Sequence, residues 1–128
     1  MIEGIGGVII LTNDVKRLAD WYREYLGLNA SGEDDECKSV YATFDVRDDK
    51  NPDNKITMAW AIMHTDKNIK DQPRTGYLNY RVKNMTAVLE NLRAKGVVIE
   101  KTAEYPYGKF ASIKDIDGNP VELWESAD

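Results

Sequence analysis

The sequence has little cysteine and no long apolar run, and each shortage excludes a class of protein. Cys37 is the only cysteine among 128 residues, so neither an internal disulfide nor a cysteine-rich metal site can form. A lone thiol is typical of a reducing compartment, and we expect a cytoplasmic protein. No apolar run approaches the roughly 20 residues that a membrane-spanning helix needs. Glu3 lies where an export signal would carry positive charge, so we expect neither membrane insertion nor export.

Positive charge is also scarce. The chain has 17 Lys and Arg against 22 Asp and Glu, which gives a formal net charge of -5 at pH 7. Because nucleic-acid binding needs a basic face, we expect no nucleic-acid partner. The charge would favour a basic ligand, although mild acidity by itself keeps a protein in solution. With 42% apolar and 30% charged residues, the composition is that of an ordinary globular domain with a core.

The first half of the sequence predicts one helix among three strands. Residues 5–12 form a short, β-branched apolar run that is typical of a buried strand. Asp14 offers a helix N-cap, and Gly27 supplies a left-handed stop after a run with apolar residues at helical spacing. Residues 29–38 are predicted to be a loop or ragged edge strand, and residues 39–46 and 56–64 are predicted to be strands. Residues 47–55 form the hairpin connection between these two strands, and residues 65–75 form a linker.

The same pattern restarts in the second half. Asn84 offers an N-cap and Gly96 a stop, which predicts a helix over residues 84–95. Asp117, Gly118 and Asn119 predict a tight turn with the glycine that such a turn requires. The predicted strands of this half are residues 76–82, 97–101, 109–114 and 120–125.

The helix signals of the two halves recur at one separation. Asn84 follows Asp14 by 70 positions, and Gly96 follows Gly27 by 69. We therefore predict an α+β fold made of two βαβββ modules, in one domain over residues 1–128 with repeats of about 1–70 and 71–128. One helix per module covers one face of its sheet. Two such mixed, curved sheets would enclose a central cavity where a ligand could bind.

Two segments of the chain resemble a known family. Residues 13–28 (NDVKRLADWYREYLGL) are similar to the first helix of the vicinal-oxygen-chelate superfamily, which includes glyoxalases and bleomycin-resistance proteins. Residues 114–125 (KDIDGNPVELWE) are similar to its closing hairpin, and Pro106-Tyr107-Gly108 lies where the family often has an aromatic–Gly pair. The resemblance implies metal-assisted chemistry on vicinal oxygens or metal-free drug binding, and it implies a homodimer. The unpaired edges of the predicted strands add a weak hint of a partner.

The residues at the family's metal-binding positions do not suit a metal. The resemblance places ligands at Gly7, at Tyr77, near Thr57 and at Glu122, and only Glu122 is a good ligand. A divalent site normally takes at least three protein ligands. The only histidine, His64, is interpreted as a surface or rim residue. We therefore expect no bound metal and no cofactor.

Strand alternation predicts the residues that line the cavity. In the last strand, Val121 and Leu123 should face the helix, which places Glu122 and Trp124 on the other face. Tyr105 and Tyr107 would lie on a loop at the cavity mouth. The predicted ligand-binding residues are Tyr77, Asn79, Arg81, Tyr107, Glu122 and Trp124. Other uses remain open: Tyr77 and Trp124 could fill a closed cavity, Arg81 could form a surface salt bridge, and Glu122 could be a solvated remnant of a metal site.

Three functions are compatible with these residues. The leading hypothesis is a metal-independent protein that binds a small organic ligand through aromatic stacking and the Glu122 carboxylate. The alternative is a lyase, isomerase or dioxygenase-type enzyme of the same superfamily that uses Glu122 as a base or metal ligand. The third is an interaction module with a collapsed cavity.

Overall fold

Two units of similar construction follow one another along the chain. A computed structural model describes residues 5, 7–32, 36–73 and 76–127. It divides into the units Met1–Asp71 and Gln72–Asp128, called here the first and the second unit. Each unit combines one helix with one mixed sheet. This confirms the predicted α+β fold class of two βαβββ-like modules.

The first unit has a three-stranded sheet in the order β1-β3-β2. Strand β1 runs parallel to β3, because the chain crosses over through the helix, and β2 and β3 form an antiparallel hairpin. The elements of this unit are β1 (Gly7–Thr12), α1 (Val15–Leu26), β2 (Ser39–Arg47) and β3 (Lys55–His64), followed by one 3-10 turn (Ile69–Asp71).

Helix α1 begins and ends where its caps predict. The Asp14 side chain accepts a hydrogen bond from the Arg17 N–H at 3.1 Å, and Gly27 closes the helix at φ 66°. The apolar stripe packs against the sheet, where the Tyr22 and Trp60 rings lie 4.9 Å apart edge to face. The buried residues of α1 are Val15, Leu18, Ala19, Trp21 and Tyr22.

The second unit has a four-stranded sheet in the order β4-β7-β6-β5. Strand β4 is parallel to β7, whereas β6 pairs antiparallel with both β7 and β5. The elements of this unit are β4 (Leu78–Arg81), α2 (Met85–Ala94), β5 (Lys101–Tyr105), β6 (Gly108–Lys114) and β7 (Pro120–Ser126). Gly118 adopts φ 81° between β6 and β7, as the predicted tight turn requires.

Helix α2 covers one face of this sheet. The Asn84 side chain accepts a hydrogen bond from the Ala87 N–H at 3.1 Å, and Gly96 follows the helix at φ 84°. The Glu125 side chain at the end of β7 accepts a further bond from the Met85 N–H at 3.0 Å, which ties the start of the helix to the sheet. The core of this unit consists of Met85, Leu89, Leu92, Ala111, Ile113, Val121 and Leu123.

The predicted strand over residues 97–101 is displaced. Strand β5 begins only at Lys101 and continues to Tyr105. The Glu100 N–H donates to the Ser112 carbonyl, but Lys101 is the register partner of Ser112, so the regular ladder with β6 stops at this point. The β-branched residues before it have no ladder partner in the described part of the chain. The β-propensity of residues 97–100 therefore predicted a strand, but these residues do not join the ladder with β6.

The segment over residues 29–38, predicted to be a loop or ragged edge strand, forms one bridge with β2 among its described residues. Ser31 and Tyr41 exchange both backbone hydrogen bonds at 2.9 Å, so Ser31 pairs with the outer edge of β2. Residue 6 of the first predicted strand, residues 33–35 of the edge segment and residues 74–75 of the linker lie outside the described residues. Among the helices that are described, none is long and apolar enough to cross a membrane.

Replacing Asn84 with alanine should destabilise the chain, because the N-cap acceptor of α2 is lost. We expect the free energy of unfolding to fall by about 1 kcal/mol, and the melting temperature to fall by several degrees. Thr86→Ala, at an exposed position of the same helix, is the matched control and should cost nothing because alanine favours the helix. Thermal unfolding followed by circular dichroism measures both. Equal losses in the two variants would contradict the cap assignment.

Candidate functional site

The face of the second sheet that points away from α2 carries the candidate site. Along β7, Val121 and Leu123 are only 2% and 1% exposed beneath the helix. Their neighbours Glu122 and Trp124 are half-buried on the opposite face, because successive side chains of a strand alternate. The alternation that the sequence predicts is therefore present in the structure.

Glu122 is held by an amide on the neighbouring strand. Asn79 of β4 is its register partner, and Asn79 Nδ2 donates to Glu122 Oε1 at 2.7 Å. On the other side, Ser112 of β6 is the partner of Glu122, and Lys101 of β5 is the partner of Ser112. Within the described chain, Asn79 is the one side chain that hydrogen-bonds this carboxylate. The bond fixes the orientation of the carboxylate and leaves Oε2 available to a ligand.

Glu122 borders a cavity of about 520 Å³ that is lined by residues of the second unit. A volume of this size is within the range of small-molecule sites. The lining residues are Tyr77, Glu100, Lys101, Thr102, Ala103, Tyr105, Tyr107, Phe110, Ser112, Ile113, Pro120, Val121 and Glu122.

Aromatic rings form one wall of this cavity. Tyr105 and Tyr107 stack with centroids 5.3 Å apart and planes 10° apart, at the tip of the β5–β6 hairpin. Phe110 meets both rings edge to face, at 5.9 and 5.7 Å. Tyr77, immediately before β4, is 63% exposed and adds a fourth ring. Such a wall suits a flat organic ring, because aromatic pairs favour stacked and edge-to-face contacts.

Trp124 lies beside the aromatic wall on the same face of the sheet. Its ring stacks with Phe110 at 6.1 Å, and its Nε1–H donates to the Tyr107 carbonyl at 3.3 Å. The Arg81 guanidinium lies 5.2 Å from the Trp124 ring centroid, within cation–π distance. Arg81 and Trp124 are not among the residues that line the cavity, so their position is that of support for Tyr107 and Phe110.

The structure thus brings the six predicted ligand-binding residues onto one face in two groups. Residues of the first group line the cavity or hydrogen-bond the Glu122 carboxylate. Residues of the second group lie farther along β4 and β7 and do not line the cavity. The first group is Tyr77, Asn79, Tyr107 and Glu122, and the second is Arg81 and Trp124.

Lys101, Phe110 and Ser112 were missed from the sequence, although all three border the cavity. The alternation of residues 109–114 places Phe110 and Ser112 on one face, and this signal was available. Lys101 could not be predicted in this way, because the sequence predicted a strand that ends at residue 101, whereas β5 begins there.

The structure shows which residues lie at the metal-binding positions that the resemblance implies. The strand registers correct one of them. Ile9 precedes Asn79 by 70 positions and pairs with Ala61, whereas Asn79 pairs with Glu122, so the counterpart of Glu122 is Ala61 and not Thr57. Thr57 follows Asn54 by three residues, as Glu122 follows Asn119, but the two positions are not equivalent. The β2–β3 hairpin extends further beyond β1 than the β6–β7 hairpin extends beyond β4. Ala61 is no more a ligand than Thr57.

Gly7 has no room for a ligating side chain. A Cβ built at this position would lie 2.3 Å from the Ala59 carbonyl oxygen on β3, closer than real Cβ contacts allow. Across the residues that the structure describes, no group of three or more His, Cys, Asp or Glu side chains could hold a metal ion. The donor set therefore does not fit the divalent metal of the resemblance.

His64 forms a local hydrogen bond with Asp66 at the end of β3. Its Nε2 lies 2.8 Å from Asp66 Oδ1. The hydrogen bond from His64 holds the pKa of the Asp66 carboxyl below its ordinary value, and the charge of the ring acts in the same direction. The His64 side chain is 27% exposed, as expected for a rim residue.

A family model matches nearly the whole sequence. The model of the Glyoxalase/Bleomycin resistance protein/Dioxygenase superfamily matches residues 4–123. The chain therefore belongs to this superfamily, and the predicted resemblance is confirmed. No curated protein matches the sequence significantly.

Solved structures share the fold at low sequence identity. The antibiotic-binding protein TnmS3 from Streptomyces sp. CB03234 is 18% identical with a TM-score of 0.66, over 98% of both chains. A glyoxylase/bleomycin resistance protein/dioxygenase domain from Frankia sp. EAN1pec is 20% identical with a TM-score of 0.68, over 100% of this chain and 95% of that one. Lactoylglutathione lyase from Agrobacterium tumefaciens is 14% identical with a TM-score of 0.65, over 98% and 95%. At these identities the likeness establishes the fold alone.

Gly108→Ala should disrupt the aromatic hairpin. Gly108 adopts φ 146°, and a Cβ there would lie 2.3 Å from the Glu125 carbonyl oxygen and 2.4 Å from Trp124 Nε1. We expect a loss of about 1–3 kcal/mol in the free energy of unfolding, with lower near-ultraviolet dichroism from the displaced rings. Gly76→Ala is the control, because nothing lies within 4 Å of its Cβ. It should change stability by less than about 0.5 kcal/mol. A tolerated Gly108→Ala would show that the hairpin tip is not held as described.

Proposed function

We propose that this chain is a metal-independent binding protein for a small, flat organic molecule that carries a cationic or hydrogen-bond-donating group. The observation that carries the proposal is the Glu122 carboxylate, oriented by Asn79 beside a cavity whose wall is aromatic. The rings of Tyr105, Tyr107 and Phe110 offer stacking and edge contacts, and the free carboxylate oxygen offers an acceptor.

Several observations support this choice of ligand chemistry. A charge-assisted hydrogen bond to a carboxylate contributes about 1.5–3 kcal/mol, more than a neutral one. The net charge of -5 favours the approach of a cation. The similar structure described as an antibiotic-binding protein shows that this fold can serve binding.

Metal independence is supported by the residues at the four family positions. Gly7 and Ala61 provide no donor, and a side chain at Gly7 is blocked by the Ala59 carbonyl. In the second unit, Tyr77 and Glu122 remain, and a neutral phenol is a poor partner for a divalent ion.

Acid–base catalysis by Glu122 is the second candidate function. The Asn79 bond favours it, because a general base must be held within hydrogen-bond reach of its substrate in a fixed orientation. A bound molecule that is recovered chemically unchanged supports the binding protein, whereas its conversion by the wild type but not by Glu122→Gln supports the enzyme.

We further propose that the two units are halves of one domain and that the chain is a cytoplasmic homodimer. A single family model spans both units, which supports the one-domain proposal. The lone Cys37 supports a reducing compartment. Large apolar side chains on the first sheet, such as Ile9 and Leu11, are more than half exposed, which supports association.

Proflavine, a flat aromatic cation, should bind to the wild type and bind roughly tenfold to a hundredfold more weakly to Glu122→Gln. The substitution removes the charge and keeps the shape, so the fold should be intact. Fluorescence anisotropy of the dye measures the affinity, and thermal unfolding checks the fold.

Acridine, which has the same ring system and is uncharged at mildly alkaline pH, is the matched control. Its affinity should be the same for the wild type and Glu122→Gln, and should fall in Tyr107→Ala, which removes a stacking surface. Equal proflavine affinity in the wild type and Glu122→Gln would show that Glu122 takes no part in binding.

Zn²⁺ or Ni²⁺ should leave the melting temperature nearly unchanged. A metal at a hundredfold excess over its Kd would stabilise the fold by roughly 2.7 kcal/mol, and the melting temperature would rise by many degrees. Differential scanning fluorimetry with and without a chelator makes the measurement. A large rise that disappears in Glu122→Gln would contradict metal independence.

A further inference from the structure

Among the residues that the structure describes, none pairs with the outer edge of β2 beyond Tyr41. The two bonds between Tyr41 and Ser31 show that the N–H and C=O groups of Tyr41 point away from β3. Backbone groups alternate along a strand, so those of Thr43, Asp45 and Arg47 point to the same side. In the described residues these three have no backbone partner there. The corresponding edge of β6 in the second unit is covered by β5.

The side chains along this open edge are of two kinds. Asp45 and Arg47 lie on one face and are exposed. The Asp45 carboxylate accepts a bond from Thr57 Oγ1 at 2.8 Å, and Arg47 Nη1 donates to the Pro52 carbonyl at 2.7 Å, and both groups keep capacity for further bonds. On the other face Phe44 and Val46 are 47% and 44% exposed. An exposed strand edge with unpaired backbone groups is a template for strand pairing.

We propose that the β2 edges of two copies of this chain pair antiparallel about a two-fold axis at Val46. In this register Asp45 of each copy lies opposite Arg47 of the other, so each hydrogen-bonded pair also brings opposite charges together. The interface is self-complementary, as a two-fold symmetric contact requires. The proposal rests on the proposed homodimer and identifies its interface.

The other registers of this edge are unfavourable. An axis at Asp45 would set the two Asp45 carboxylates directly opposite one another, and like charges at such positions repel. An axis at Phe44 would set Arg47 opposite Tyr41, whose backbone groups are already engaged by Ser31. An axis at Arg47 would oppose the two Arg47 guanidinium groups in the same way as the Asp45 axis opposes the carboxylates. The axis at Val46 is thus the one that uses free backbone groups and matches the charges.

The same register accounts for two further features of the first unit. On the apolar face, Val46 would meet its own copy and Phe44 would lie diagonal to the partner's Val46, which covers both side chains. Beside the edge lies a groove of about 360 Å³. Extending the register places residues 48 and 49 of the second copy, the start of its hairpin connection, alongside Phe44 and Thr43 at this groove. The groove is lined by Gly27, Leu28, Asn29, Ser31, Tyr41, Ala42, Thr43 and Phe44.

Charge reversal tests the interface. Sedimentation equilibrium of the wild type should show a mass of twice 14.5 kDa. Asp45→Arg or Arg47→Asp alone should weaken the dimer by roughly tenfold or more, because symmetry repeats each repulsion. The double variant Asp45→Arg/Arg47→Asp should restore the wild-type Kd to within about threefold. Glu90→Arg, at an exposed position of α2, is the control and should have no effect.

Hydrogen exchange of the wild type gives a readout that needs no variant. The amides of Asp45 and Arg47 should become protected as the protein concentration rises, and the amide of Thr102 should not change. A dimer that persists in both single reversals, with exchange at Asp45 independent of concentration, would overturn the edge pairing and leave the homodimer proposal standing. A mass of 14.5 kDa at high concentration would overturn both. Proflavine binding is measured separately and does not depend on either result.

Discussion

Each sheet has a single helix to cover it, and this constraint determines where everything else can lie. Apolar side chains must occupy the covered face, so the alternate side chains of the same strand are forced to the other face. In β7 the burial of Val121 and Leu123 beneath α2 is what presents Glu122 and Trp124 away from the helix. The core and the candidate site are therefore two results of one alternation, and a one-residue slip of β7 would exchange them.

Features determined by local chemistry were predictable from the sequence. Asp14 and Asn84 cap the helices and Gly27 and Gly96 follow them, because a cap depends on residues within one turn. The alternation that exposes Glu122 was also predictable, since its period is a property of any strand. Residues only a few positions apart in the sequence are enough to predict both the helix caps and the alternation.

Features determined by pairing were not predictable in the same way. The strand predicted over residues 97–101 lies at 101–105, because only the register with β6 decides where that ladder runs. The counterpart of Glu122 is Ala61 because the length of the first hairpin, which no local signal reveals, sets the register of β3 against β1. Lys101 joined the cavity lining for the same reason.

The close approach of β1 to β3 at Gly7 has a consequence for how readily this chain could change its chemistry. A codon change that introduced histidine or glutamate at position 7 would meet the Ala59 carbonyl before the new donor could reach a metal. The two strands would first have to separate, at the cost of their shared ladder. A single substitution at this position therefore cannot supply a metal ligand while β1 and β3 keep their present pairing.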